Sequence, residues 1–242
     1  MTADDVLKNA TVITLRKRPD RGSDFLSRWN TTFPHLGSPR IVYGFDGDRV
    51  PIPTGWQTTS GAFGCCLAHV AAQFRVLSDA EYSDDDPLAF FEDDAVFCDG
   101  FLEKLETVAK FVPNDWEILY LGGELLLTGR PKPKPIFKYT DGAIRVEIVK
   151  PHNVNRLHAY VVKAKALPKI TTRLLEYSTN APKVKGPSGD ETCFDYEVGR
   201  MQERGELTVY AVAPWIVGQG GYGSDTYPSD QGAFRVRYWN QR

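Results

Sequence analysis

Three consecutive carboxylates, Glu92-Asp93-Asp94, follow the apolar run Leu88-Ala89-Phe90-Phe91 and precede Ala95-Val96-Phe97. Like charges held between apolar flanks are costly unless a cation or hydrogen-bond donors offset their repulsion. If strand alternation runs through the triplet, Glu92 and Asp94 share one face and Asp93 points to the other, forming an E-x-D pair. Such hard oxygen ligands suit Mg²⁺ or Mn²⁺, which can bridge a nucleotide diphosphate and draw charge from it as it departs. The bland alternative is a solvated acidic turn; the Phe90-Phe91 approach argues against it.

The elements that must present this triplet read as an α/β alternation. Residues 10–15 form a buried strand, 16–21 its basic exit loop, and 23–33 a helix with Phe25, Leu26 and Trp29 on one face. A second strand, 40–45, runs into the turn Asp46-Gly47-Asp48. Ser60 is placed as N-cap of a helix over 61–78 that packs Phe63, Leu67, Val70, Ala71, Phe74 and Leu77 inward. Strand 88–91 then delivers the triplet. A helix over 101–111 and a strand over 117–121, ending at Gly122-Gly123, continue the pattern. The stretch 130–135 contains three prolines and reads as an extended surface loop. Strands follow at 143–149, 157–162 and 207–212, with helices near 164–178 and 194–204 and a flexible loop over 180–189 between those helices.

With 242 residues, 42% hydrophobic and 25% charged, the chain has the balance of a globular protein and the length of a single large domain. Residues up to about 125 and the remainder are expected to form the two halves of that domain. A net charge of −2 gives no general attraction to phosphate backbones. Neither a secretory signal at the start nor a run of roughly 20 apolar residues is present, so no membrane span and a cytoplasmic location are expected. Cys65, Cys66, Cys98 and Cys193 form no C-x-x-C pair and read as reduced, mostly buried thiols.

Several motifs, in order, resemble glycosyltransferase family 25, which includes lipooligosaccharide galactosyl- and glucosyltransferases and collagen galactosyltransferase domains. Val12-Ile13-Thr14-Leu15 with Arg18-Pro19-Asp20-Arg21 resembles the family's opening strand and R-x-x-R region, and Gly44-Phe45-Asp46-Gly47 its D-G turn. The segment from Gly61 to His69 resembles G-E-x-G-C-x-x-S-H, and Phe91-Glu92-Asp93-Asp94 resembles L-E-D-D. Leu119-Tyr120-Leu121-Gly122 is similar to x-Y-L-G, His158-Ala159-Tyr160-Val161-Val162 to x-A-Y-x-I, and Gln219 with Ser224-Asp225 to the Q-x-x-x-x-S-D ending. Ala62 and Ala68 depart from the pattern, standing where the family has an acidic residue and a serine.

The resemblance implies a GT-A fold with a Rossmann-like, mostly parallel sheet flanked by helices. It also implies a nucleotide-sugar donor, here a UDP-hexose, Mn²⁺ or Mg²⁺, and inversion at the anomeric carbon. On that basis Thr14, Gly64, Asp93 and Gln219 are placed at the donor. Arg18 and Arg21 are set against its phosphates or read as a solvated basic turn, and Asp46 against base or ribose or read as an ordinary turn. His69 is a donor contact or a buried structural histidine, and His158 a third metal ligand beside Glu92 and Asp94 or a core histidine. An inverting transfer needs a carboxylate to take the acceptor's proton. Asp195 is preferred, with a helix-capping role as its alternative, and Asp190 and Glu191 are the rivals on the preceding loop.

A metal-dependent nuclease or phosphotransferase, or a non-catalytic nucleotide-sugar-binding module, remains open at this level. The acceptor is equally open: a glycan, a protein hydroxyl or a hydroxylated base in DNA. Lys132, Lys134, Lys138, Lys183 and Lys185, on or beside the two loops, would admit a polyanion but also suit a solvated surface. The oligomeric state is not encoded in these motifs.

Overall fold

The computed structural model describes residues 1–79, 81–127, 129–180 and 193–221, together with the backbone of 185–186 and 189–190. Glu191, Ser224 and Asp225 lie outside the described residues, and Asp190 and Lys185 are described for their backbone alone.

Helix α1 (Ala3–Leu7) precedes strand β1 (Thr11–Thr14), helix α2 (Pro19–Thr32) and strand β2 (Arg40–Tyr43). A 3₁₀ turn, Gly47–Arg49, leads to α3 (Ser60–Asp79), β3 (Pro87–Glu92), β4 (Ala95–Phe97), α4 (Phe101–Phe111) and β5 (Ile118–Leu125). There follow β6 (Pro135–Asp141), β7 (Ile144–Val149), β8 (Val154–Lys163) and α5 (Leu167–Thr179). The two-residue strands β9 (Lys185–Gly186) and β10 (Gly189–Asp190) precede α6 (Phe194–Glu203), β11 (Val209–Ala213) and β12 (Val217–Gln219).

Eight strands form one mixed sheet in the order β2-β1-β3-β8-β5-β11-β7-β6. The expected parallel character holds for β2-β1-β3 and for β5-β11. Strand β8 runs against both of its neighbours, and β7 and β6 are antiparallel additions at one edge. Helices cover both faces. On β3, Phe90 enters a core beneath α3, α5 and α6 with Val70, Tyr160, Ile170 and Val198. Its neighbour Phe91 enters the opposite core with Phe25, Trp29, Leu105 and Val108 of α2 and α4.

Four local expectations are corrected. The exit loop over 16–21 is cut short because α2 begins at Pro19, a residue that fits a first helical turn, so Arg21 is helical. The cap of α3 is Thr59, whose hydroxyl accepts from the Ala62 amide at 3.1 Å, whereas Ser60 Oγ donates to Asp48 at 2.5 Å. Phe74 of that helix faces solvent, 44% exposed, and Gln73 takes the inward position. Strand β6 begins at Pro135, the last residue of the expected loop: a proline at the start of an edge strand forfeits no ladder bond that a neighbour needs.

Strand β5 also runs past its expected end, through Gly122-Gly123, with register shifts against β8 on either side of Gly122. A Cβ on Gly122 would lie 2.5 Å from both His158 Nε2 and the Val217 carbonyl. Gly122→Ala is therefore expected to destabilise the fold by about 1–3 kcal/mol, the usual cost of overpacking. Gly37→Ala, with nothing within 4 Å, should be close to neutral in the same urea melts.

Candidate functional site

Strands β1 and β3 end side by side, Ile13 paired with Glu92, and the chain turns over Asp93-Asp94 into β4. Strand alternation therefore stops at Glu92, and the expected E-x-D face is not formed by the pleat. Each carboxylate finds its own partners. Asp93, 3% exposed, accepts from Thr14 Oγ1 at 2.7 Å and is ion-paired to Arg21. Asp94 pairs with the same guanidinium at 3.0 Å and accepts from Gln219 Nε2 at 3.2 Å, while its backbone carbonyl accepts from the Gly220 amide. Glu92 turns toward α3, where His69 Nε2 lies 3.2 Å and Cys65 Sγ 3.9 Å from its Oε1.

Arg21 thus sits buried against two carboxylates, in the first turn of the helix that leaves β1. Arg28, one of the residues the sequence did not single out, donates from the same helix to the carbonyls of Asp93 and Ala95 at 3.2 and 3.3 Å. Arg18, by contrast, pairs with Asp20 at 3.0 Å.

Burial pushes the Asp93 carboxyl up against the opposing pull of Arg21 and Thr14. It pushes Asp94 further, to about 7, with Glu92 and Asp93 adding their repulsion to that of desolvation. Glu92 moves the other way: its desolvation is outweighed by the His69 hydrogen bond and by nearby positive charge.

In the metal-free chain the Asp94 pKa is raised on folding, so the folded state takes up a proton that the unfolded chain releases near pH 4. The penalty for ionised Asp94 is absent below that pH, grows as pH rises toward 7, and is complete above it. Relative to Asp94→Asn, the wild type should therefore lose on the order of a few kcal/mol of stability between pH 5 and pH 8. Chelator-treated denaturant melts of the two proteins would read this difference.

His158 enters along β8 beside Gly122, 1% exposed, with Nε2 3.5 Å from the Val217 carbonyl. Burial pushes its pKa down to about 4, so it is neutral near pH 7. Among the described residues, the group of three ligand atoms spaced for a cation is Cys65, His69 and Glu92, all within 4.8 Å of one another. Glu92, Asp94 and His158 do not make such a group, because Asp94 is turned to Arg21 and Gln219 and His158 to Val217.

On the β8 side, Asp195 lies in the first turn of α6 and accepts from its neighbour Tyr196 N at 3.0 Å and from Arg156 N at 3.1 Å. Burial pushes its carboxyl up, opposed by these hydrogen bonds, and Glu92 adds repulsion, which places both carboxylates in one electrostatic neighbourhood. Arg156 adopts φ +69°, a conformation that costs a non-glycine residue on the order of 1–3 kcal/mol. Its guanidinium contacts Glu124 at 3.1 Å. No sequence signal marks Arg156, and its strained backbone is what aims its amide at Asp195.

Asp46 accepts from Lys17 at 2.9 Å and caps the 3₁₀ turn, so it ties the loop after β1 to the turn after β2. Gly64 has a packing reason: a Cβ there would lie 2.6 Å from the Phe45 carbonyl, so α3 could not approach this turn. A cavity of about 240 Å³ opens between α2 and the ends of β1 and β2, lined by Thr14, Leu15, Pro19, Ser23, Ile41 and Tyr43. The Arg16 guanidinium stacks 4.2 Å over the Tyr43 ring at its edge.

No protein-family model matches this chain. Over 112 residues, 45% of its length, the chain is 30% identical to a protein of Acanthamoeba polyphaga mimivirus named procollagen lysyl hydroxylase and glycosyltransferase. The matched stretch spans 11% of that much longer relative. The chain is thus distantly similar to a protein that bears a glycosyltransferase name. No helix among the described residues is long and apolar enough to cross a membrane.

Proposed function

We propose that the chain is a glycosyltransferase of the family 25 kind, with a GT-A fold, which transfers a hexose from a UDP-sugar to an acceptor hydroxyl with inversion. The observation that carries this reading is the carboxylate cluster at the carboxyl ends of β1 and β3, beside the cavity at β1 and β2. In open α/β sheets, ligands bind outside the carboxyl ends of the strands. The similarity to a glycosyltransferase-named protein supports the same reading.

The residues fit a hard divalent cation. Asp94 Oδ1 is buried and makes no hydrogen bond, and Arg21 supplies a single positive charge in contact with the acidic triplet. Mg²⁺ and Mn²⁺ sites commonly use one or two carboxylates and complete the shell with phosphate oxygens and water. Asp94 would hold the ion through its unpartnered Oδ1; Glu92, turned toward α3, and neutral His158, turned to a carbonyl, are left out of the set. When bound, the ion would offset charge on the departing diphosphate.

The chain's own groups do the rest. Arg21 and Thr14 hold Asp93 inward, and Gln219 fixes Asp94. The loop after β1, tied by Lys17 to Asp46, and the Tyr43 ring face the nucleoside end. Asp195, held by the Arg156 amide, takes the proton from the acceptor hydroxyl as its oxygen attacks the sugar carbon. The acceptor is a glycan, a protein hydroxyl or a hydroxylated DNA base.

A panel of nucleotide sugars incubated with the chain and Mn²⁺, read by mass spectrometry, tests this reading. Release of UDP from a UDP-hexose, with a matching hexose adduct on an acceptor, is expected. Cleavage of nucleic acid without donor turnover would favour a nuclease instead, and donor binding without turnover a non-catalytic module.

A further inference from the structure

The Cys65-His69-Glu92 group has a chemistry that the transfer reading does not use. Cys65 and His69 stand four residues apart on α3, so they share one helix face, and the end of β3 brings Glu92 against that face. The group offers one sulfur, one imidazole nitrogen and one carboxylate oxygen. His69 Nε2 and Cys65 Sγ lie 3.2 and 3.9 Å from Glu92 Oε1. Tetrahedral Zn²⁺, with bonds of about 2.0–2.3 Å, sets its ligand atoms roughly 3.3–3.8 Å apart. All three atoms lie within 4.8 Å of one another, so side-chain shifts of about an ångström would bring them to that spacing.

The far side of His69 is already braced. Its Nδ1 lies 3.1 Å from Tyr160 Oη, which accepts from Gln73 Nε2 at 3.2 Å, and Gln73 Oε1 accepts from Thr171 Oγ1 at 2.9 Å. A ligating histidine commonly has such an outer partner for its second nitrogen. Cys65 is half-buried and the Glu92 side chain 21% exposed, which leaves an approach from solvent and a fourth position for water.

We propose that Cys65, His69 and Glu92 bind a soft or borderline divalent cation such as Zn²⁺, at a position separate from the hard-cation position at Asp94. On binding, the Cys65 thiol releases its proton to solvent and a sulfur–metal bond forms. The ring proton of His69 then resides on Nδ1, donated to Tyr160 Oη, and Nε2 becomes a ligand. The site selects against Mg²⁺ because thiolate and imidazole are poor ligands for a hard ion.

The test uses the full chain, stripped of metal and without nucleotide, so its result is independent of any transfer assay. Titration with Co²⁺ should give one bound ion per chain with a thiolate-to-cobalt charge-transfer band, bleached by one equivalent of Zn²⁺ and unchanged by excess Mg²⁺. Outer-shell changes alone cost such sites about 10–100-fold, so Cys65→Ser should weaken binding by more than about 100-fold and remove the band, whereas Cys66→Ser keeps it. On the wild type, Zn²⁺ should also slow alkylation of Cys65, followed by mass spectrometry, so the proposal does not depend on a variant folding. A wild type that shows no band, a band lost in Cys66→Ser but kept in Cys65→Ser, or Cys65 alkylation indifferent to Zn²⁺ would each overturn it.

Discussion

Asp195→Asn is expected to reduce hexose transfer by about 10²–10⁴-fold, the range that general base catalysis supplies, while donor and metal binding persist. Asparagine keeps the shape of the side chain and one oxygen to accept from the Arg156 amide, so the strained backbone at Arg156 keeps its partner. What it loses is the capacity to take a proton. Burial raises the Asp195 carboxyl, which brings its basicity nearer to working pH and makes it a better acceptor than a solvated aspartate. Calorimetry with the donor and a melting curve, run beside the transfer assay, separate a catalytic loss from a structural one. Should Asp195→Asn transfer sugar at the wild-type rate while Asp190→Asn or Glu191→Gln does not, the base lies on the preceding loop and Asp195 serves only its helix.

Asp94→Ala is expected to cost about 10³-fold or more in turnover, since charge stabilisation at a departing diphosphate is worth several kcal/mol. The fold should survive, because Arg21 retains Asp93 as counter-ion and the alanine removes a carboxylate that burial disfavours. The loss should not add to that caused by chelator. If Asp94 acts by holding the ion, chelating the wild type and mutating Asp94 remove one contribution, and treating the variant with chelator changes little further. Steady-state rates of the two proteins with and without chelator give this cycle. Independent, multiplying losses would mean that Asp94 acts some other way.

Much of this arrangement was legible in the sequence because local patterns carried it. Short β-branched and aromatic runs marked β1 and β3, and the change from Phe91 to Glu92 marked the carboxyl end of β3. What was not legible depends on contacts across the chain. The sequence sets Arg21 against phosphates or in a solvated basic turn, yet its partners come from residues more than seventy positions away. The Pro19-Asp20 pair, a proline and an acid at a helix start, was the signal that Arg21 lies in a helix. The antiparallel insertion of β8 between β3 and β5 brings His158 beside Glu92, and no periodicity within either strand encodes that order. Cys65 and His69 were visible at helical spacing, but their third member joins only when β3 packs beside α3. Strand β6 was hidden by the prolines and lysines before it, which suit an edge as well as a loop.

The most direct test of the central claim is a calorimetric titration of UDP-hexose into the wild-type chain, in Mn²⁺ and again after chelator treatment. Saturable binding in Mn²⁺ that is lost with chelator, and lost in both conditions for Asp94→Ala, is the predicted result. Equal binding with and without metal, or none for any nucleotide sugar in a folded protein, would contradict a donor site built on the end of β3.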